Sequence, residues 1–131
     1  MALARIELVE GRSREQRRAM VEAVATALTE VLKAPANDPS VRLIEYRPED
    51  FVRPYPERHS DAFTLVEVTM FEGRSAGTKR HLYEAIVESL SACGIPADDI
   101  LIVVHEPPLH NWAVKGGVPA NEVDLGFEIG I

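Results

Sequence analysis

The sequence predicts an α/β (α+β) fold in which two tandem β-α-β repeats form a four-stranded sheet with both helices on one face. Two observations lead to this prediction. The tetrapeptide Glu-Gly-Arg-Ser occurs at residues 10–13 and again, unchanged, at residues 72–75. Each copy follows an apolar strand pattern and precedes a helix pattern, so each copy opens the same structural unit.

Length and composition are consistent with one globular domain. The chain has 131 residues, of which 46% are hydrophobic and 27% are charged, and this is enough apolar material for a real core. We therefore predict a single domain over residues 1–131. It divides into repeat one (2–46), a connecting loop (47–62), repeat two (63–106) and a C-terminal tail (107–131).

Charge and residue usage argue against several classes of partner. A net charge of −7 disfavours nucleic acid. No apolar run reaches the ~20 residues that span a bilayer, and no signal pattern is recognisable, so we expect a cytoplasmic protein with no membrane partner. The single cysteine, Cys93, excludes an intrachain disulfide and a Cys-based metal site. The four histidines also lack metal-ligand spacing.

Repeat one is predicted to contain a strand, a helix and a strand. Residues 3–9 alternate between apolar and polar positions, as a half-buried strand does. Ser13 and Gln16 then form a capping-box pattern at the start of a helix, which Pro35 breaks, and residues 41–46 form the second strand. The helix has one apolar stripe, formed by Ala19, Met20, Ala23, Val24, Ala27, Leu28, Val31 and Leu32.

Repeat two follows the same plan. A strand is predicted over residues 64–71, a helix starts at Ser75 and ends near Gly94, and residues 100–105 form an apolar strand. The buried side of this helix is predicted to hold Leu82, Tyr83, Ala85, Ile86, Ser89, Leu90 and Cys93. Apolar residues alternate again over residues 122–131, and this predicts a further, short C-terminal strand that pairs with a sheet edge.

The repeat also predicts how the sheet is exposed. A strand–helix–strand unit of this length implies parallel strands joined by a right-handed helical crossover. Both helices then cover one face of the sheet, and nothing in the chain covers the other. The strand over residues 100–105 is apolar on both sides, and such a strand does not leave one side in water. We therefore expect self-association through the bare face.

These features together resemble the tautomerase superfamily, whose type member is 4-oxalocrotonate tautomerase. The likeness spans residues 2–117 and is greatest to the malonate semialdehyde decarboxylase-like branch of fused-repeat proteins. It depends on the two Gly-Arg-Ser turns, the Pro-x-x-Asp segment at 35–38 and Asn111-Trp112. It implies a tautomerase/MIF-like fold, a homotrimer and no metal or organic cofactor. It also implies a pocket for small keto or semialdehyde carboxylic acids at the start of the first strand.

The resemblance places Ala2 at the position of the family's catalytic group. Those enzymes use an N-terminal proline, exposed when the initiator methionine is removed, as general base or acid. If Met1 is removed here, Ala2 has a primary α-amine, whose ordinary pKa is ~7.7–8.0 and which burial lowers. If Met1 is retained, the Ala2 nitrogen is an amide without basicity.

Four other residues match functional positions of the family. The resemblance assigns proton transfer to Asp38, substrate-carboxylate binding to Arg74, a place in the pocket lining to Trp112, and substrate binding to Arg12, the first-repeat counterpart of Arg74. Each also has a structural interpretation. Asp38 suits a turn before a proline, Trp112 suits a packing anchor, and the two arginines suit solvated helix starts.

The sequence therefore leaves two functions open. The first is an enzyme acting on a small keto/enol or semialdehyde carboxylic acid, by keto–enol tautomerisation or a related proton transfer, with activity altered by Ala2. The second is a catalytically inactive family member that serves as a ligand- or protein-binding trimer. Glu72 bears on both, because it replaces an arginine of the decarboxylating relatives and its carboxylate would repel an acidic substrate.

Overall fold

The computed structural model describes residues 1–131 and contains both predicted repeats. The first repeat comprises β1 (Ala2–Val9), α1 (Arg14–Leu32) and β2 (Ser40–Tyr46). The second comprises β3 (Thr64–Met70), α2 (Ala76–Ala92) and β4 (Ile100–His105). A small two-stranded sheet follows, formed by β5 (Ala113–Lys115) and β6 (Val118–Pro119). Neither helix is long and apolar enough to cross a membrane.

The four main strands form one mixed sheet in the order β2-β1-β3-β4. β1 is parallel to β2 and β3 is parallel to β4, as the crossover argument predicts. The two repeats meet where β1 runs antiparallel to β3, with Ala2 opposite Met70 and Glu7 opposite Leu65. Because of this antiparallel contact, the turn after β3 lies beside the start of β1, and the turn after β1 lies beside the start of β3.

Both helices cover the same face of the sheet, which confirms the predicted fold class. Alternate residues of β1 and β3 are buried against the helices, whereas the residues between them are half-buried on the other face. At the start of α1 the capping box is complete: Gln16 N donates to Ser13 Oγ at 3.1 Å and Ser13 N donates to Gln16 Oε1 at 2.8 Å. Tyr83, predicted on the buried side of α2, is instead exposed.

The C-terminal strand predicted over residues 122–131 is not formed, and the short C-terminal sheet lies earlier, in the β5–β6 hairpin. The residues of this tail nevertheless alternate between half-buried and exposed positions. Its Ile131 carbonyl accepts hydrogen bonds from Ser75 Oγ at 2.9 Å and Thr78 Oγ1 at 2.6 Å, at the start of α2. The alternation therefore arises because every second side chain packs against the rest of the protein. The backbone of the tail does not form the hydrogen bonds of a β-strand.

The face of the sheet opposite the helices, called here the open face, is polar at its centre and apolar towards β4. Arg5 Nη2 lies 2.8 Å from Glu67 Oε2, and His105 Nε2 lies 3.0 Å from Glu67 Oε1. Leu101, on the outer side of β4, is 46% exposed. The prediction of a strand that is apolar on both sides therefore applies to β4. On the open face, β1 and β3 instead carry a network of charged side chains.

Replacing Glu67 with glutamine is expected to flatten the acid limb of the stability profile. The hydrogen bond from His105, and the charge of Arg5, hold the pKa of Glu67 below its ordinary value of 4.5. The ionised carboxylate therefore stabilises the fold above pH 4.5, and this contribution is lost as the pH falls through the lower folded-state pKa. Urea midpoints between pH ~6 and ~3, at fixed protein concentration, measure the difference.

The matched control is Glu30→Gln, at an exposed position of α1. Its stability should follow the wild-type pH dependence. A Glu67→Gln variant whose acid limb is as steep as that of the wild type would contradict the role given to the open-face network.

Candidate active site

The start of β1 meets the turn between α1 and β2, and this contact brings an amine to a carboxylate. The α-amino nitrogen of Met1 lies 3.5 Å from Asp38 Oδ1, and the Asp38 side chain is only 13% exposed. The backbone of Asp38 is held in its turn because its N–H donates to the Pro35 carbonyl at 2.9 Å. The Pro-x-x-Asp segment thus ends the helix and presents Asp38 to the chain start.

Arg74 approaches the same place from the turn after β3. Its side chain is 6% exposed, and Nη1 donates to the Phe71 carbonyl at 3.1 Å. The turn itself needs Gly73, whose φ of +126° suits glycine and whose added Cβ would stand 3.0 Å from the Ile129 carbonyl oxygen. Arg74 is therefore a buried cation, not a solvated residue at a helix start.

Aromatic rings surround this arginine. The Phe127 ring lies with its centroid 5.8 Å from Arg74 Cζ, within range of a cation–π contact. Phe71 meets Trp112 edge-to-face with ring centroids 4.8 Å apart, and Trp112 Nε1 donates to the Pro107 carbonyl at 3.1 Å. Trp112 thus fixes the wall from behind Phe71, and its own hydrogen-bonding group is satisfied within the protein.

These elements enclose a cavity of about 200 Å³, called here the Asp38 cavity. Its roof is formed by the C-terminal tail and its side by the β5–β6 hairpin. The lining consists of Met1, Asp38, Phe71, Val114, Lys115, Val123, Asp124, Leu125 and Phe127. A mostly apolar chamber with a few convergent polar groups is typical of small-molecule sites.

Burial adjusts the charges of this site. It lowers the pKa of the Met1 α-amine from its ordinary value of 8.0, against the smaller raising effect of the Asp38 charge and hydrogen bond, and Arg74 lowers it further. The amine is therefore available as a neutral base nearer to neutral pH than a free α-amine. Burial also lowers the pKa of Arg74, but a guanidinium remains charged at any physiological pH.

Two buried polar atoms in this site have no hydrogen-bond partner. They are Asp38 Oδ2, an acceptor, and Arg74 Nε, a donor. Leaving a buried polar group unpaired costs about 1–3 kcal/mol, so native structures seldom retain such groups without a use. Both atoms lie beneath the cavity surface, and an anionic acceptor at Arg74 and a donor at Asp38 would satisfy them once the lining side chains shift.

The structure brings together most of the residues that the sequence singled out. Ala2 is buried at the first position of β1, next to Met1, and Asp38 and Arg74 interact electrostatically across the site. Trp112 contributes through Phe71. Glu72 is exposed and does not line the Asp38 cavity, so its carboxylate does not lie in the path of a ligand there.

Arg12 lies elsewhere, at the opposite end of β1. It borders a larger cavity of about 650 Å³, called here the Arg12 cavity, whose lining includes Gln16, Phe51, Arg53, Phe63 and Cys93. This larger cavity contains no free amine and neither of the unpaired buried atoms. We therefore place the candidate active site at the smaller Asp38 cavity, which Met1 and Asp38 line, with Arg74 buried behind its Phe71 and Phe127 walls.

Sequence reasoning missed three contributors to the Asp38 cavity. Lys115 lies in a segment with no predicted role, and Phe127 lies in the predicted C-terminal strand. The Met1 amine was considered only as a group that removal would replace. No local pattern marks these residues, because the hairpin and tail reach the cavity through tertiary packing. No cluster of three or more His, Cys, Asp or Glu side chains is arranged to hold a metal ion.

Comparisons with known families match this chain along most of its length. A family model described as "tautomerase enzyme" matches residues 41–115, and a second with the same description matches residues 3–59. A 2-hydroxymuconate tautomerase from Comamonas testosteroni is 37% identical over 60 residues, which cover 45% of this chain and 94% of that protein. That relative therefore corresponds in length to about one repeat.

Solved structures of similar proteins share the whole arrangement. The FG41 malonate semialdehyde decarboxylase inhibited by 3-bromopropiolate is 36% identical, with a TM-score of 0.75 over 88% of this chain and 91% of that one. A second malonate semialdehyde decarboxylase is 26% identical and has a TM-score of 0.79, with 88% of this chain and 92% of that chain covered. A fused 4-OT asymmetric trimer has a TM-score of 0.81 over 92% and 97%, but at 18% identity it shows the fold alone.

Proposed function

Because the chain belongs to the tautomerase superfamily, in its fused-repeat branch, we propose that it is an enzyme that moves a proton on a small keto/enol or semialdehyde carboxylic acid. The observation that carries this proposal is the pair of unpaired buried atoms, Asp38 Oδ2 and Arg74 Nε, beside an amine of lowered pKa. Together they complement a substrate that has a carboxylate at one end and an enol hydroxyl near the other.

Arg74 holds the substrate carboxylate in this proposal. Its guanidinium is buried, and the charge-assisted hydrogen bond from Nε is unused. The Phe71 and Phe127 side chains put apolar groups beside Arg74, and an apolar environment strengthens the attraction between arginine and carboxylate. At the cavity lining, the positive charge of Lys115 is offset by the carboxylate of Asp124.

The chain's α-amine and Asp38 move the proton. The neutral amine takes the enol hydroxyl proton, and the resulting ammonium returns a proton to carbon, so substrate and product are isomers and no oxidant or reductant is needed. Asp38 accepts a hydrogen bond from the ammonium that forms and so stabilises it. In protein that retains Met1, the amine is that of Met1, 3.5 Å from Asp38 Oδ1. In protein that has lost Met1, it is that of Ala2.

We extend the proposal to a homotrimer. The exposed Leu101 on the open face and the trimeric assembly named for one structural neighbour support it. Analytical ultracentrifugation at micromolar concentration is expected to give three times the chain mass of 14.5 kDa. A monomer under those conditions would contradict it.

A second candidate function is supported by Ala2, which the resemblance to the family places where those enzymes have their catalytic proline. A member without that secondary amine could keep the pocket and lose the chemistry, leaving a trimer that binds a ligand or a partner. The two candidates make opposite predictions about turnover, whereas both predict binding of a small carboxylate at Arg74.

In protein that has lost Met1, Ala2→Pro is expected to raise kcat/KM several-fold. The pyrrolidine ring fixes the direction of the amine lone pair, whereas the primary amine of Ala2 rotates. Proline is tolerated at the first residue of a strand, which is where Ala2 lies. The measurement is turnover of 2-hydroxymuconate and malonate semialdehyde, the compounds named for the relatives, with intact mass recorded for each preparation.

The control is Ala2→Ser, which keeps a primary amine and a small side chain and should resemble the wild type. The enzyme proposal fails if neither the wild type nor Ala2→Pro exceeds the buffer rate while mass confirms a free N-terminal proline. Saturable binding of those acids without turnover would then support the binding function.

A further inference from the structure

The chain repeat creates a second, differently equipped site at the other end of the β1–β3 pair. Because β1 and β3 are antiparallel, the turn at residues 72–75 faces the start of β1, and its twin at residues 10–13 faces the start of β3. The Pro-x-x-Asp segments follow the same relation: Asp38 lies beside the start of β1, and Asp99 lies beside the start of β3, next to Ser60. The Arg12 cavity is therefore the counterpart of the Asp38 cavity.

The groups that could move a proton in the Asp38 cavity are absent or occupied in its counterpart. Phe63, before β3, lies inside the chain and so contributes no free amine. Asp99 is buried, and both of its oxygens are used: Oδ1 accepts from Ser60 N at 3.0 Å and Oδ2 accepts from Ser60 Oγ. The counterpart is thus equipped for binding without chemistry.

The cation at the Arg12 cavity is free. The Arg12 guanidinium makes no hydrogen bond and no ion pair within the protein. Arg12 interacts with another side chain only through its backbone carbonyl, which accepts a hydrogen bond from Arg17 Nη1 at 2.7 Å. Arg53, by contrast, is held by the His59 carbonyl at 2.9 Å and by Asp61 Oδ1 at 3.0 Å. One unpaired arginine is available in this cavity to meet an anion.

The rest of the lining indicates the body of the ligand. Phe51 and Phe63 form a tilted ring pair with centroids 6.1 Å apart, and both line the cavity. A planar ligand can pack against the cavity side of such a ring pair. The volume of about 650 Å³ lies within the usual range for small-molecule sites. Glu10 and Asp61 also line it, so the local charge balance favours a single negative charge over a dianion.

We propose that the Arg12 cavity is a separate binding site for a small aromatic monocarboxylate, whose carboxylate pairs with Arg12 and whose ring packs against Phe51 and Phe63. This proposal does not depend on turnover at the Asp38 cavity. It gives the first Glu-Gly-Arg-Ser turn a function of its own.

Cys93 provides a local measure of occupancy, because it is the only cysteine of the chain and it lines this cavity. The probe is 1-naphthoate, and its uncharged counterpart is 1-naphthamide. Naphthoate is expected to slow alkylation of Cys93 by iodoacetamide at least fivefold and in a saturable manner, and naphthamide to have little effect. Arg12→Gln should remove the protection, whereas Arg14→Gln, at an exposed arginine in the first turn of α1, should keep it.

Calorimetry on the Arg74→Gln variant, in which carboxylate binding at the Asp38 cavity is weakened, provides a second readout. Saturable heat with naphthoate that disappears in the Arg12→Gln, Arg74→Gln double variant supports the proposal. Absence of such heat overturns it, whether or not Cys93 reacts with iodoacetamide. Equal protection by naphthoate and naphthamide, or full protection in Arg12→Gln, overturns it as well.

Discussion

Replacing Arg74 with glutamine is expected to lower kcat/KM for a keto/enol acid by roughly 10- to 150-fold, mainly through a higher KM. The variant loses a charge-assisted hydrogen bond to the substrate carboxylate, worth about 1.5–3 kcal/mol, and each 1.4 kcal/mol corresponds to about a tenfold change. Burial at 6% exposure places the interaction away from water, where salt screens it least. Steady-state kinetics at two salt concentrations measure both effects.

Glutamine keeps an amide donor at this position and loses the charge and the Nη1 group that donates to the Phe71 carbonyl. Arg74→Lys should fall between the wild type and glutamine, since it keeps the charge and loses the planar fork. The matched control is Arg80→Gln, an exposed arginine of α2, which should leave KM unchanged. Equal KM values in Arg74→Gln and Arg80→Gln would show that Arg74 has a structural role only.

The same variant applies to both candidate functions. If the protein binds without turnover, Arg74→Gln should raise the Kd of a small carboxylate by a similar factor in calorimetry. The buried, unpaired Nε is the shared premise. A loss of affinity without any measurable turnover in the wild type would favour the binding trimer over the enzyme.

The two Glu-Gly-Arg-Ser turns show both the reach and the limit of sequence reasoning. Their repetition predicts two identical units, and the structure has them, with a serine cap at the start of each helix. The tetrapeptide sequence alone does not determine which of the two turns lies beside the start of β1. The antiparallel β1–β3 contact decides that, because it places Arg74 beside Ala2 and Arg12 beside Phe63. Such non-local pairing leaves no trace in either turn.

The tail shows a different limit. Alternating apolar residues predict a strand only if an edge offers hydrogen bonds, and periodicity reports burial alone. Here the tail turns its apolar side chains towards the Asp38 cavity, where Phe127 reaches Arg74. Its backbone instead ends on the hydroxyls of Ser75 and Thr78. The pattern was therefore informative about contact and misleading about secondary structure.

Replacing Asp38 with asparagine is expected to lower kcat/KM about 100-fold or more, as the loss of a proton-transfer group does, and to move the acid limb of the profile to lower pH. In protein that retains Met1, burial lowers the pKa of its amine and the Asp38 charge raises it by a smaller amount. Asparagine has no charge to raise the amine pKa, whereas burial and the Arg74 charge still lower it. The amine pKa therefore falls further, and the neutral base persists into more acidic solution.

This shift can be measured without turnover, because cyanate carbamylates only the neutral form of an α-amine. The pH dependence of N-terminal carbamylation, followed by peptide mass spectrometry, should give a lower amine pKa in Asp38→Asn than in the wild type. Asp98→Asn, at the exposed position of the second Pro-x-x-Asp segment, should leave both the rate and the amine pKa unchanged. A merely structural aspartate at position 38 predicts slower turnover with the amine pKa unmoved. A lower pKa together with slower turnover requires the carboxylate to act on the amine, and this is the coupling on which the proposed proton transfer depends.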